Sequence, residues 1–178
     1  MNSPVIMQTT PSTVEYAGLD YFIENVKVAA SRANVPVAIH LDHGPSFELA
    51  SKAFRAGYTS IMIDGSHGDF ESNVAVSKLV ADMCRSSDVS VEAELGKVGG
   101  QEDDVVAETM YADFDECVKL AKETGIDALA PALGSVHGPY HGEPKLGFDE
   151  MKKIGDALAT TPLVLHGGSG IPVEQIKR

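Results

Sequence analysis

Pro36-Val37-Ala38-Ile39-His40-Leu41-Asp42-His43-Gly44 is the stretch on which the fold class turns. A short apolar run enters it, and three polar residues crowd its last four positions before the glycine. On an extended strand His40 and Asp42 share one face, with His43 at the turn. An ionised aspartate among apolar neighbours is costly unless it is paired or helped by a cation. The bland alternative is a hydrogen-bonded structural pair, but so many polar groups at one strand end point to chemistry.

The same design recurs in both directions along the chain. Further apolar runs are PVIMQ from Pro4, SIMID from Ser60, VSVEAEL from Val89, ALAPAL from Ala128 and PLVLH from Pro162. They are short and rich in Val, Ile and Leu, as expected of strands buried on both faces of a parallel sheet. With Gln8, Asp42, Asp64, Glu94, His137 and His166 as their ends, the steps are 34, 22, 30, 43 and 29 residues. Each is near the length of a βαβ unit. Helical periodicity fills the gaps: Phe47, Ala50 and Phe54 before Gly57, then Val76, Leu79, Val80 and Met83. Asp113 and Glu116 form a capping box ahead of Phe114, Cys117, Leu120 and Ala121, and Gly125 ends that helix. The class is therefore α/β, read as one domain over residues 1–178.

The polar residues choose between an open sheet and a barrel. They gather at the C-terminal ends of many strands, where a TIM (β/α)8 barrel places its active site. An open dinucleotide-binding sheet would concentrate its chemistry at one switch point and carry a glycine fingerprint after the first strand, which is absent. A barrel of about 250 residues has eight βα units, so this chain carries about six.

Composition narrows the partners. The net charge is −12 with no Lys/Arg cluster, which excludes a nucleic-acid-binding face. No apolar run is long enough for a membrane span and no signal peptide precedes the first strand. The two cysteines, Cys84 and Cys117, read as reduced core thiols, and a cytoplasmic location follows.

Three further constellations carry chemistry. Glu92 and Glu94 point the same way from one strand, so they need a cation or a raised pKa unless the strand is an exposed edge. His137-Gly138 and His166-Gly167 each follow an apolar run. Singly such a histidine is more often a satisfied core residue; with His43, the set matches a catalytic zinc that keeps its fourth position open. Gly167-Gly168-Ser169-Gly170, before Ile171-Pro172, reads either as a plain turn or as a phosphate-binding turn at a helix start. Gly99-Gly100-Gln101-Glu102-Asp103-Asp104 reads either as a solvated loop or as one that swings a carboxylate over a substrate. No lysine ends any of these strands, which removes Schiff-base chemistry and leaves a metal electrophile.

HLDHG, MIDGSH, VEAELGKVGGQEDD, ALAPALGSVHGPYHGEPKLGF and PLVLHGGSGIP, in that order, resemble the class II fructose-bisphosphate/tagatose-bisphosphate aldolases, the shorter bacterial fructose branch most closely. The resemblance implies that Asp42 exchanges a proton with the C4 hydroxyl and that His43, His137 and His166 hold catalytic Zn2+. It implies that Asp64 and Glu94 hold a second or alternative cation position. Glu102 matches the loop glutamate that handles the proton on the dihydroxyacetone-phosphate carbon. Gly138, Gly167 and Ser169 match contacts to the ketose phosphate, with Gly168 inside the same turn. Thr10 falls where the family carries a serine for the far phosphate. The implied partner is a phosphorylated ketose, in proteins that form homodimers or larger assemblies. The family's first strand and helix are expected before Met1, and its eighth strand and phosphate segment after Arg178. The alternatives are tagatose 1,6-bisphosphate as substrate, an inactive truncated paralogue, and a barrel hydrolase, which the His40/His43 spacing disfavours.

Overall fold

A computed structural model of the chain describes residues 2–102, 105–107, 111–140 and 142–178, with the side chains of residues 101, 102 and 105–107 outside the description. The chain divides into two compact units, Met1–Ala93 with Thr124–Asp127, and Glu94–Glu123 with Ala128–Arg178.

The first unit alternates strand and helix: β1 (Val5–Thr9), α1 (Pro11–Ala17), α2 (Leu19–Ala30), β2 (Val37–Gly44), α3 (Phe47–Ala56), β3 (Ser60–Ile63), α4 (Phe70–Cys84) and the start of β4 (Ser90–Leu95). The strands are parallel and pair in chain order, with Gln8 beside His40, His40 beside Ser60 and Ser60 beside Ser90. Leu41, Ile61, Ile63 and Val91 are buried, as the apolar runs require. Side chains cap α3 and α4, and the Gly57 stop read from the sequence ends α3. Ser46 accepts from the Leu49 N–H at the start of α3, Asp69 accepts from the Ser72 N–H at the start of α4, and Gly57 closes α3 at φ 98°.

β1 departs from the expectation of burial on both faces: Val5, Ile6 and Met7 are exposed. The reason is its place at the edge of the sheet, where among the described residues it pairs with β2 alone. Such an edge carries unpaired backbone groups.

In the second unit, β4 ends at Leu95, whose carbonyl accepts from the Ala132 N–H at 2.8 Å, just past β7 (Ala128–Pro131). The strand order is thus β1-β2-β3-β4-β7. A small second sheet, which the sequence did not announce, joins β5 (Gly99–Glu102), β6 (Val105–Ala107) and β8 (Val136–His137) in the order β6-β5-β8. The segment read as a loop, whether solvated or swinging a carboxylate over a substrate, is therefore a strand from Gly99 to Glu102. Gly100, at φ 95°, lets β5 approach β8 so closely that a Cβ there would meet the His137 carbonyl. The helices are α5 (Phe114–Thr124), α6 (Phe148–Ala157) and α7 (Val173–Ile176). Asp113 accepts from the Glu116 N–H at 3.0 Å, as the capping box predicts.

Two strand ends need correction. The fifth run stops at Pro131, and His137 lies beyond it on β8. Among the described residues the sixth run makes only a bridge, Leu129 with Leu163, supported by Leu129 N–H to Pro162 O at 3.0 Å and Val164 N–H to Leu129 O at 2.9 Å. Pro162 offers no N–H donor, and Gly167 turns the chain away at φ 67°, so the pairing stays short.

Cys84 and Cys117 are buried, each within its own unit. Burial, reinforced by Asp113 and Glu116, pushes the Cys117 thiol up to about 12; burial and the charge of Asp127 raise Cys84. Both thiols stay protonated at pH values where free thiols ionise. A thiol reagent at neutral pH is expected to modify neither cysteine in the native protein and both in denaturant. Fast native labelling at Cys117 would show that α5 is not packed as described.

Among the described residues no helix is long and apolar enough to cross a membrane.

Candidate functional site

In the first unit the backbone of β2 changes character where its polar residues lie. Pairing with β3 runs from His40–Ser60 to Leu41–Ile61, then slips before Gly44–Ile63. His43 sits at the slip with φ 47°, a left-handed conformation that costs a non-glycine residue about 1–3 kcal/mol. An unbroken strand would turn His43 to the face opposite Asp42. The slip instead brings its ring round to Asp64, where Nδ1 lies 3.0 Å from Oδ2. Gly44 is needed beside it, because a Cβ there would come 2.7 Å from the Met62 carbonyl.

Asp64 is held from two sides. Its Oδ2 faces His43, and its Oδ1 accepts from the Ser66 N–H at 3.0 Å. Burial by itself pushes this carboxyl up, but the bonds from His43 and Ser66 together overcome it and hold the pKa at about 2. The carboxylate therefore stays charged at any working pH. His67, more exposed, lies 3.9 Å from the same Oδ2. Ser66 and His67 were legible only inside the motif MIDGSH; no period marks them.

Deeper in the unit His40 is buried with Nδ1 2.7 Å from Ser60 Oγ and Nε2 3.8 Å from Glu92 Oε2. Asp42 is buried too, and its Oδ1 has no hydrogen-bond partner among the described residues. Such an oxygen is rare without a role, since leaving it unpaired costs about 1–3 kcal/mol or more. Glu92 and Glu94 are 7% and 3% exposed, which removes the edge-strand reading of β4. Thr10, half-buried, flanks α1, with its Oγ1 3.2 Å from Ser12 Oγ.

His137 and His166 belong to the second unit. Their rings stand edge to face with centroids 5.8 Å apart, although 29 residues separate them in sequence. Gly138, at φ 80°, and Gly167, at φ 67°, turn the chain immediately after each histidine. A Cβ on Gly167 would run into the Val136 backbone, so that close approach admits only glycine. Gly168 is half-buried, and Ser169 is exposed on the turn before α7. Tyr140, which the sequence reading passed over, accepts from the Val136 N–H at 3.1 Å and donates to the Gly167 carbonyl at 2.8 Å. Glu102 lies in β5 by its backbone; its side chain, and Asp103 and Asp104, lie outside the described residues.

A family model described as "Fructose-bisphosphate aldolase class-II" matches residues 1–178. The chain is 58% identical to the fructose-bisphosphate aldolase of Geobacillus stearothermophilus over 180 aligned positions, covering 99% of this chain and 62% of that protein. It is 56% identical to the fructose-bisphosphate aldolase of Staphylococcus aureus strain Mu50, covering 99% of this chain and 63% of the relative. The crystal structure of the YdjI aldolase from Escherichia coli K12 superposes with TM-score 0.85 at 38% identity, over 99% of this chain and 62% of that one. The chain thus spans somewhat less than two thirds of the length of these relatives, and its parallel strands and helices are part of the barrel fold expected from the sequence.

Proposed function

Because this chain belongs to the class II fructose-bisphosphate aldolase family, we propose that it carries the metal-binding and proton-transfer part of an enzyme that reversibly cleaves fructose 1,6-bisphosphate to dihydroxyacetone phosphate and glyceraldehyde 3-phosphate. The named relatives favour fructose over its C4 epimer tagatose as the sugar.

The residues fit a divalent metal by the chemistry of their donors. A metal-binding imidazole commonly gives its second nitrogen to a carboxylate, which fixes the tautomer and raises the basicity of the ligating nitrogen. His43 is arranged that way, with Nδ1 3.0 Å from Asp64 Oδ2. His43, His137 and His166 would hold the ion as Zn2+, with Asp64 and Glu94 available to a second or alternative cation. When bound, the ion supplies Lewis-acid polarisation of the ketone.

The chain's own residues do the rest. Asp42 takes the C4 hydroxyl proton during cleavage and returns it during condensation. Glu102 exchanges the proton on the carbon of the three-carbon ketose phosphate. Gly138, Gly167, Gly168 and Ser169 receive one phosphate through the N–H groups of their turns, and Thr10 the other. The single observation that carries this reading is the buried Asp42 Oδ1, without a hydrogen-bond partner among the described residues, next in sequence to a histidine already bound by a carboxylate.

The test is to add a strong chelator and follow release of triose phosphate from fructose 1,6-bisphosphate and from tagatose 1,6-bisphosphate. Cleavage of the fructose sugar is expected to stop and to return with Zn2+. Undiminished cleavage in chelator would exclude the mechanism, and a faster rate on tagatose would reassign the substrate.

A further inference from the structure

Besides the contact of the two imidazole rings, the second unit contains another tie between its histidine-bearing segments. Tyr140 lies three residues beyond His137, and its hydroxyl is used twice. It accepts from the N–H of Val136, the residue before His137, at 3.1 Å, and donates to the carbonyl of Gly167, the residue after His166, at 2.8 Å. The two backbones it joins are already in contact, since Gly167 lies too close to Val136 to carry a side chain. On the far side the tyrosine ring packs on the glycine-rich turn, 3.3 Å from where a Cβ of Gly170 would lie, and Gly170 has φ 93°. Ring and hydroxyl together thus grip both segments.

We propose that Tyr140 is a positioning residue that sets the separation of His137 and His166 for a shared metal ion, an inference that rests on the metal reading given above. The physical reason is geometric. Neither segment is held by a long ladder: β8 has two residues and the run before His166 makes only a bridge. Imidazoles must approach a zinc ion to about 2.0–2.1 Å, which short, weakly paired segments cannot guarantee. A hydroxyl bonded to both backbones beside the histidines can. Removing it leaves an N–H and a carbonyl to find other partners and lets the two rings drift.

The experiment is Tyr140→Phe, which keeps the ring on Gly170 and removes only the hydroxyl. Zn2+ affinity is measured by competition with a chromophoric chelator on the 178-residue chain, beside wild type and His137→Ala. The visible absorption of the Co2+-loaded proteins and far-UV circular dichroism are recorded in parallel. We expect Zn2+ affinity about 10–100-fold weaker than wild type and a changed Co2+ spectrum, with the circular dichroism unchanged. Wild-type affinity and an identical Co2+ spectrum in Tyr140→Phe would overturn the role of Tyr140 and leave the metal reading standing. Equal, weak binding by wild type and His137→Ala would instead sink the metal reading, and this inference with it. Should Tyr140→Phe not fold, amide hydrogen exchange in the wild-type chain decides: slow exchange at Val136 supports the tie, and exchange as fast as in an open peptide overturns it.

Discussion

Replacing His43 by alanine should weaken Zn2+ binding by about a hundred-fold or more. Protein sites that enclose zinc with four side chains gain about 10–16 kcal/mol from it, so one ligand among three carries about 3 kcal/mol or more, and a loss of 1.4 kcal/mol is tenfold. The loss at His43 should be larger than its bare share. Its left-handed backbone and its bond to Asp64 hold the ring in place before any ion arrives, so little ordering remains to be done on binding. Asp42→Asn is the informative companion. It removes the proton acceptor but none of the imidazoles, so the variant should bind Zn2+ as wild type does and fail to cleave the sugar. The measurement is a metal titration beside an activity assay on both variants. If His43→Ala binds Zn2+ as tightly as wild type, the ligand set is wrong. If Asp42→Asn keeps full activity, the proton acceptor lies elsewhere.

The second large effect is expected at a glycine. Gly167→Ala places a methyl group against the Val136 backbone at a residue with φ 67°. The left-handed backbone alone costs about 1–2 kcal/mol, and backbone cannot step aside as a flexible side chain can. A total destabilisation of about 3 kcal/mol follows, which at about 2–4 °C per kcal/mol for a chain of this size lowers the melting temperature by about 6–12 °C. The neighbouring glycine is the control. A Cβ on Gly168 would lie 3.9 Å from Leu165 Cδ2, and its φ is not positive, so Gly168→Ala should stay within about 0.5 kcal/mol of wild type. Thermal unfolding of both variants checks the contrast. Equal melting temperatures would mean that the His166 segment does not lie against β8 as described.

The alternation β2, α3, β3, α4 was legible because its signals are local. Short apolar runs, an aspartate cap and a glycine stop each act within a few residues of where they stand. Asp113 capping α5 and Gly57 ending α3 are instances in which sequence and structure agree residue by residue. Candidate site residues stood out for a related reason: a charged or polar residue at the end of an apolar strand is an anomaly visible without coordinates, as at His40, Asp42, Glu92 and Glu94. What failed was strand counting in the second unit. PLVLH has the composition of a strand, but its pairing depends on whether a neighbour supplies two rows of hydrogen bonds or one, and composition does not encode that.

By itself, then, the sequence determined the α/β class, the stop of α3, the cap of α5 and the family to which the chain belongs. Only the tertiary structure decided how those residues are aimed. The register slip that swings His43 onto Asp64, the β5–β8 pairing that requires Gly100, and the Tyr140 hydroxyl between Val136 and Gly167 all depend on backbones that meet in space. Side-chain type fixes which bonds a residue can make. The packing of distant segments fixes which of them it does make, and so the direction in which each donor points.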